Sequence, residues 1–165
     1  MLSLKQKQSG FTIVELLIVI VIIGILAGLV ITTFVGIQAR GRDSERQTDI
    51  KAIQGQLEAY FANNGGYPVL ADLNDSTWRA NNKFTLDAKA LADPKTAATQ
   101  SVVGTATTNR YLYTTSVNGT ASTTCLSPTD AANPPANQTG TICNGFNLSV
   151  VSEVDATKTF SAASQ

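Results

Sequence analysis

The 165-residue chain has no histidine, one methionine, one tryptophan and two cysteines. The commonest acid/base and metal-binding side chain is therefore missing. Charge is scarce as well: 15% of residues are Asp, Glu, Lys or Arg, 12 of each sign, with no net charge. Ordinary globular domains carry about 25%, and neither a nucleic-acid binder acting by bulk charge nor a charged disordered tail has this composition. No phosphate-cradling glycine loop occurs, and the acidic residues beyond position 65 are scattered. The reading is a single non-catalytic domain plus whatever the N-terminus does, with no cofactor and no metal expected.

What is present is unevenly distributed. Residues 16 to 31 contain no polar side chain, whereas residues 96 to 145 hold 13 threonines and only two charges, Arg110 and Asp130. From Phe11 to Ile37 the only polar side chains are Thr12, Glu15, Thr32 and Thr33. A helix of about 20 such residues crosses a bilayer core. A buried helix of a soluble protein shows an apolar stripe and a polar face, and this run is apolar all round. Lys5 and Lys7, with no acid in residues 1 to 10, place the start in the cytoplasm and the remainder across the membrane.

Two simpler accounts of this segment fall short. A cleavable secretory signal has an apolar core of about 7–15 residues and then a small-x-small site. Here the core is longer, and Ile37-Gln38-Ala39 lacks a small residue at its first position. An uncleaved anchor explains the length and the lysines but not Glu15. A carboxylate in such a segment costs roughly 2.5–3.5 kcal/mol near the bilayer centre and less near the interface. A cut between Gly10 and Phe11 would create an ammonium four residues before Glu15, with both at a helix N-terminus, where the dipole favours the carboxylate. A neighbouring subunit's ammonium would serve equally well.

KQKQSG followed by FTIVELLIVIVIIGILAGLVI resembles the class III signal of type IV pilins and of the pseudopilins of type II secretion. The resemblance covers about 25 residues, with Gly10, Phe11, Glu15 and the long apolar stretch in register. It implies that a membrane prepilin peptidase cleaves after Gly10 and methylates the amine of Phe11. Glu15 then pairs with the Phe11 amine of an adjacent subunit, neutralising two charges in a filament core. It implies as partners further copies or related pilins in a helical filament, and an inner-membrane assembly platform with a cytoplasmic ATPase. The precursor would be a single-pass membrane protein, and the assembled product a pilus at the cell surface. Family members often carry a proline a few residues further on. Here Thr32 occupies that neighbourhood and the first proline is Pro68, so local melting of the helix is not implied, whereas assembly is.

Gly24 and Gly28 form a small-xxx-small spacing that lets membrane helices approach closely. The alternatives are that glycine is simply common in such helices, or that each glycine lowers local helicity at a cost of roughly 1 kcal/mol. After Ile37 the chain turns amphipathic. Ile50, Ile53, Leu57 and Tyr60 or Phe61 recur at helical spacing, and Arg42, Asp43, Glu45, Arg46 and Asp49 offer opposite charges three apart. The same helix is expected to continue and to stop at Asn63-Asn64-Gly65-Gly66, ahead of Tyr67-Pro68. Arg40, Arg42, Arg46 and Lys51 alternate with Asp43, Glu45 and Asp49. They read as a solvated face, or as charge matching between subunits, with no specific nucleic-acid site.

Downstream, residues 110 to 116 and 145 to 151 alternate as strands do, the second with Phe146, Leu148 and Val150 on one face, and Asn118-Gly119 offers a turn. A short helical turn is expected over Leu86 to Ala92, stopping before Asp93-Pro94. The fold class is α+β: a long N-terminal helix, membrane-spanning in its first half, packed through its amphipathic half on a small antiparallel sheet, in agreement with the pilin fold. The divisions are a leader (1–10), a membrane or filament-core helix (11–37), its amphipathic continuation (38–64) and a globular head (65–165). Cys125 and Cys143 lie in the exported part, where such pairs bond. Closing the 125–143 loop would contribute roughly 3 kcal/mol, and the alternative is two reduced thiols. Asn74, Asn118, Asn137 and Asn147 fit the glycosylation pattern, which chance supplies in a chain this rich in Asn, Ser and Thr.

The leading functional reading is a structural subunit of a type IV pilus, serving adhesion, motility or DNA uptake. The runner-up keeps the fold and makes it a pseudopilin of type II secretion or a competence apparatus. A third is a monomeric, membrane-anchored binding protein.

Overall fold

The structure is a computed structural model that describes residues 10–86, 88–96, 102, 104, 110–128 and 140–164. Lys5, Lys7, Pro134-Pro135 and Asn137 lie outside the described residues. Helix α1 runs over Ile13–Asn64, 52 residues. By internal contacts the chain divides into two compact units, one ending at Gln38 and one beginning at Ala39, so α1 contributes to both.

In the first unit every described apolar side chain of α1 is open to its surroundings. Relative exposure runs from 47% at Val19 to 84% at Ile13. The absence of any polar face in the sequence has this as its direct counterpart. Thr33 turns its hydroxyl back onto the Leu29 carbonyl at 2.9 Å, which satisfies its polar group inside the helix.

The second unit has a conventional core. On the rest of α1, Ile50, Ile53, Leu57 and Tyr60 are buried. Phe61, the alternative to Tyr60 in the periodic reading, is only partly covered. The helix stops as expected. Gly65 takes φ 75°, a left-handed conformation that glycine adopts without a Cβ clash, and its N–H bonds the Phe61 carbonyl at 2.7 Å. Gly66 is required for a different reason, since a Cβ there would run into Ile142 and Pro128.

Two short helices follow, α2 (Leu70–Asn74) and α3 (Ser76–Asn81), the second capped by Asp75, which accepts from the Thr77 N–H at 2.7 Å. A 3-10 turn occupies Ala88–Leu91 and ends before Asp93-Pro94. Residue 87, inside the expected 86–92 turn, lies outside the described residues. The strands are β1 (Leu112–Val117), β2 (Thr120–Ala121), β3 (Gly145–Val151) and β4 (Thr159–Ala163), in the order β2-β1-β3-β4 and antiparallel throughout. The β1–β2 hairpin turns through Asn118 and Gly119, both at positive φ, the geometry that an Asn-Gly pair favours.

Register aligns the core faces. Tyr113 pairs with Leu148 and Thr115 with Phe146. Leu148 and Val150 pair in turn with Ala162 and Phe160. With a period of two along each strand, Tyr111, Tyr113, Phe146, Leu148 and Val150 therefore meet the buried residues of α1 in one cluster. Burying each large apolar side chain contributes about 1.5–3 kcal/mol.

The α+β layout with a long helix and a small antiparallel sheet is as expected, with three additions. β1 starts at Leu112 instead of 110. α2 and α3 fill what reads as connecting loop, and β4 adds a fourth strand. The Cys125–Cys143 disulfide is present, with the Cα atoms 5.2 Å apart. Beside it, Leu126 and Ile142 form a bridge. Ser127, which donates to Asp72 and accepts from the Val69 N–H, ties this region to α2.

Candidate functional site

Two clusters of polar groups stand out against the apolar background, one at each end of the argument about charge. The first is at the start of α1. The Gly10–Phe11 peptide precedes the helix and is exposed, with Phe11 at 85% and open space around Gly10. A peptidase needs its target bond extended and reachable, and this one is both.

Thr12 ends the non-helical stretch. Its carbonyl accepts from the Leu16 N–H at 3.3 Å, and its Oγ1 accepts from the Glu15 N–H at 3.2 Å. Glu15 reciprocates. Its Oε2 accepts from the Thr12 N–H at 2.9 Å and from the Thr12 hydroxyl at 2.8 Å. This is a capping box: two otherwise orphaned N–H groups of a helix start are satisfied by two side chains three residues apart. The helix dipole adds to it, favouring a negative charge at this end. Part of the cost of placing Glu15 in an apolar setting is thus offset within its own first turn. A carboxylate accommodates about four hydrogen bonds, so two local ones leave capacity for an ammonium.

Thr12 is the functional residue that a reading centred on charge misses, although Thr-x-x-Glu before an apolar run is its sequence signature. Among the expected site residues, Phe11 and Glu15 lie within one turn of each other in sequence. Gly24 and Gly28 each face open space, with no atom within 4 Å of where a Cβ would stand.

The second cluster is in the head. Arg46 is fully buried and forks onto Asp93, Nε to Oδ2 at 2.7 Å and Nη2 to Oδ1 at 2.8 Å. Its Nη1 also donates to Asp43 at 2.8 Å. Asp43 is buried too and takes three further donors from the turn after β3: the Ser152 hydroxyl at 2.5 Å, the Glu153 N–H at 2.8 Å and the Val154 N–H at 3.2 Å. Glu153 closes the cluster, bidentate with Arg42 at 2.7 and 2.8 Å and paired with Lys95 at 2.9 Å.

Burial opposes ionisation of Asp43, but its donors (the Glu153 N–H, the Ser152 hydroxyl, Arg46 and the Val154 N–H) outweigh it and hold the carboxyl at about 2. The Arg42 hydrogen bonds, helped by Lys95 against a smaller burial penalty, likewise hold Glu153 at about 2. Nearby, burial raises Asp49, partly countered by the Tyr111 hydroxyl that donates to it at 2.7 Å. The reading of these charges as a solvated helix face or as inter-subunit matching is therefore wrong for Asp43 and Arg46. Their partners are inside the same head, brought by tertiary folding from 47 to 110 residues away. Arg40, Glu45 and Lys51 do face outward. Among the described residues no group of three or more His, Cys, Asp or Glu side chains is arranged to hold a metal.

Comparison with known proteins bears on the first cluster. Residues 5–31 match the family model described as the prokaryotic N-terminal methylation motif. Type II secretion system core protein G of Aeromonas hydrophila is 41% identical over 65 residues, 39% of this chain and 46% of that protein. Type IV major pilin protein PilA of Myxococcus xanthus is 39% identical over 68 residues, 41% of this chain and 31% of that one. Core protein G of Escherichia coli K12 is 40% identical over 64 residues, 39% of this chain and 44% of that protein. The chain thus spans less than half the length of these curated relatives. No solved structure matches it. The resemblance expected from KQKQSG-FTIVE is borne out over the N-terminal segment, whose relatives include a type IV pilin and type II secretion proteins.

Proposed function

We propose, from a chain whose N-terminal segment carries the prokaryotic methylation motif, that it is a structural subunit polymerised through that segment into a type IV pilus. Prepilin peptidase cuts the exposed Gly10–Phe11 bond and methylates the new amine of Phe11. The apolar half of α1, residues 11–37, holds the precursor in the membrane. An assembly platform with a cytoplasmic ATPase then draws it out against further copies or related pilins. Glu15, already oriented by Thr12, takes the Phe11 ammonium of a neighbour as its third donor.

One observation carries this reading. A run of leucine, isoleucine and valine side chains is exposed around the whole helix, directly behind an exposed Gly10–Phe11 bond and within residues that match the methylation motif. Leaving even ten such side chains in water forgoes on the order of 15–30 kcal/mol, so they belong in lipid or against other copies. A structural role also accords with the names of the relatives, none of the three compared above being named as an enzyme.

The test is Glu15→Ala in the full chain. The variant is expected to be inserted and cleaved normally but to yield few fibres, and wild-type fibre yield would sink the pairing. A second reading is favoured by the relatives named core protein G: a pseudopilin whose filament stays within the envelope. Shearing cells and pelleting the released material separates the two, long surface fibres supporting the pilus and their absence the pseudopilus.

A further inference from the structure

Beyond Ile37 the described residues expose only two large apolar side chains, Val151 at 41% and Val154 at 53%. Both belong to one feature, the end of β3 and the turn that leads to β4. A small soluble head has no structural need to present them together, and the turn is built to hold them outward.

Its backbone is anchored at both ends, Ser152 N–H to the Lys158 carbonyl at 2.9 Å and Lys158 N–H to the Asp155 carbonyl at 2.9 Å. Its first N–H groups point into Asp43, and Glu153 is locked by Arg42 and Lys95. With its neighbours tied inward, Val154 is left at the surface.

The charges around it are cationic where they are free to act. Arg40 and Lys158 are exposed and take part in none of the five ion pairs. Both border the same shallow cavity as Val154, about 330 Å³. Lys158 also stands 5.3 Å from the centre of the Phe160 ring. The acid in the turn, Asp155, is occupied by the N–H and hydroxyl of Thr157. Position along the chain adds a further argument. Asp43, which grips the turn, follows the last residue of the apolar run, Ile37, by only six residues.

We propose that this turn is an interfacial docking loop, with Val154 entering the headgroup boundary of the leaflet into which α1 is anchored and Arg40 and Lys158 facing its anionic phospholipids. The inference rests on the reading that residues 11–37 sit in the membrane. Exposed apolar side chains beside basic ones are the composition of interfacial anchors. Each Lys or Arg near an anionic surface contributes about 1 kcal/mol, so losing two lowers the docked-to-undocked ratio by roughly 30-fold. The buried ion cluster then has a use beyond stability, since it fixes the loop that touches lipid and so sets the orientation of the head before assembly.

The experiment uses the full chain in proteoliposomes with an environment-sensitive fluorophore at Val154→Cys, the native disulfide being buried and unreactive. Controls carry the fluorophore at Phe34→Cys in the apolar run and at Thr120→Cys, on the hairpin at the other end of the sheet. Lipids bearing a nitroxide near the headgroup should quench the position 154 label strongly and the position 120 label hardly at all. Quenching at 154 should be stronger with phosphatidylglycerol than with phosphatidylcholine alone, and should be lost in Arg40→Gln/Lys158→Gln. A label at 154 that behaves like the one at 120 while 34 is quenched overturns the docking loop and leaves the membrane reading intact. An unquenched label at 34 overturns both. Protection of 154 only in assembled fibres makes the loop a subunit contact and also overturns the proposal.

Discussion

The two halves of α1 are one continuous helix by hydrogen bonding and two different solutions to the same problem. From residue 13 to 37 apolar side chains surround the helix and none is buried, so its environment must come from outside the chain. From residue 39 to 64 a stripe of Ile50, Ile53, Leu57 and Tyr60 is covered by the head's own sheet. Charge follows the same division. Glu15 has only its capping partner in its own turn, whereas Asp43 and Arg46 are surrounded by partners from three segments. The first half is incomplete as a monomer, and the second is self-sufficient.

That contrast can be broken by mutation. Removing Arg46 leaves Asp43 and Asp93 buried without their cation, and Arg46→Ala is expected to cost the head about 3–5 kcal/mol, read as the midpoint shift in denaturant. Leu57→Ala should cost about 2–5 kcal/mol by opening a cavity in the core. Leu26→Ala, the same chemical change in the exposed half, should leave the head's melting temperature unchanged in detergent. If the two leucine variants lost equal stability, the division between the halves would be wrong.

Reducing the Cys125–Cys143 bond should lower stability by roughly 3 kcal/mol, visible as a lower melting temperature under reducing conditions. Acid sharpens the comparison further. Asp43 and Glu153 are held at about 2, against ordinary values of 3.8 and 4.5. Their folded forms bind protons less readily than the unfolded chain, so the stability they supply is complete above about pH 5 and is lost as pH falls toward 2. Asp49, raised by burial, acts in the opposite sense, one group against two. The head's melting temperature should therefore be flat near neutrality and drop between about pH 5 and 2, and the drop should shrink in Glu153→Gln. The smallest effect is expected at the other end: Thr12→Ala removes a cap worth about 1 kcal/mol. It should fray the first turn by amide exchange while leaving the head untouched.

Legibility in the sequence followed the range of the interactions. The end of α1 could be read because Asn-Asn-Gly-Gly acts on its own backbone, and β3 because Phe146, Leu148 and Val150 alternate without interruption. Helices α2 and α3 are five and six residues long, too short for a helical period to show. In β4, Thr159–Ala163, the small residues Ser161, Ala162 and Ala163 give no contrast between faces. The ion cluster was illegible for a different reason. Nothing near Asp43 in sequence announces that Ser152 and Glu153 will donate to it, so its charges look like surface charges until the sheet closes. At the N-terminal site Gly10, Phe11 and Glu15 were visible as a local pattern, and Thr12 was equally visible in the same four residues once helix capping is considered beside charge.

The central claim is that an acid among apolar side chains is kept because a cut after Gly10 provides a positive group to meet it in the polymer. Mass spectrometry of the N-terminal peptide from assembled material tests this most directly. The account predicts a peptide beginning at Phe11 and carrying one added methyl group. Assembled protein that still begins with its first ten residues would contradict it.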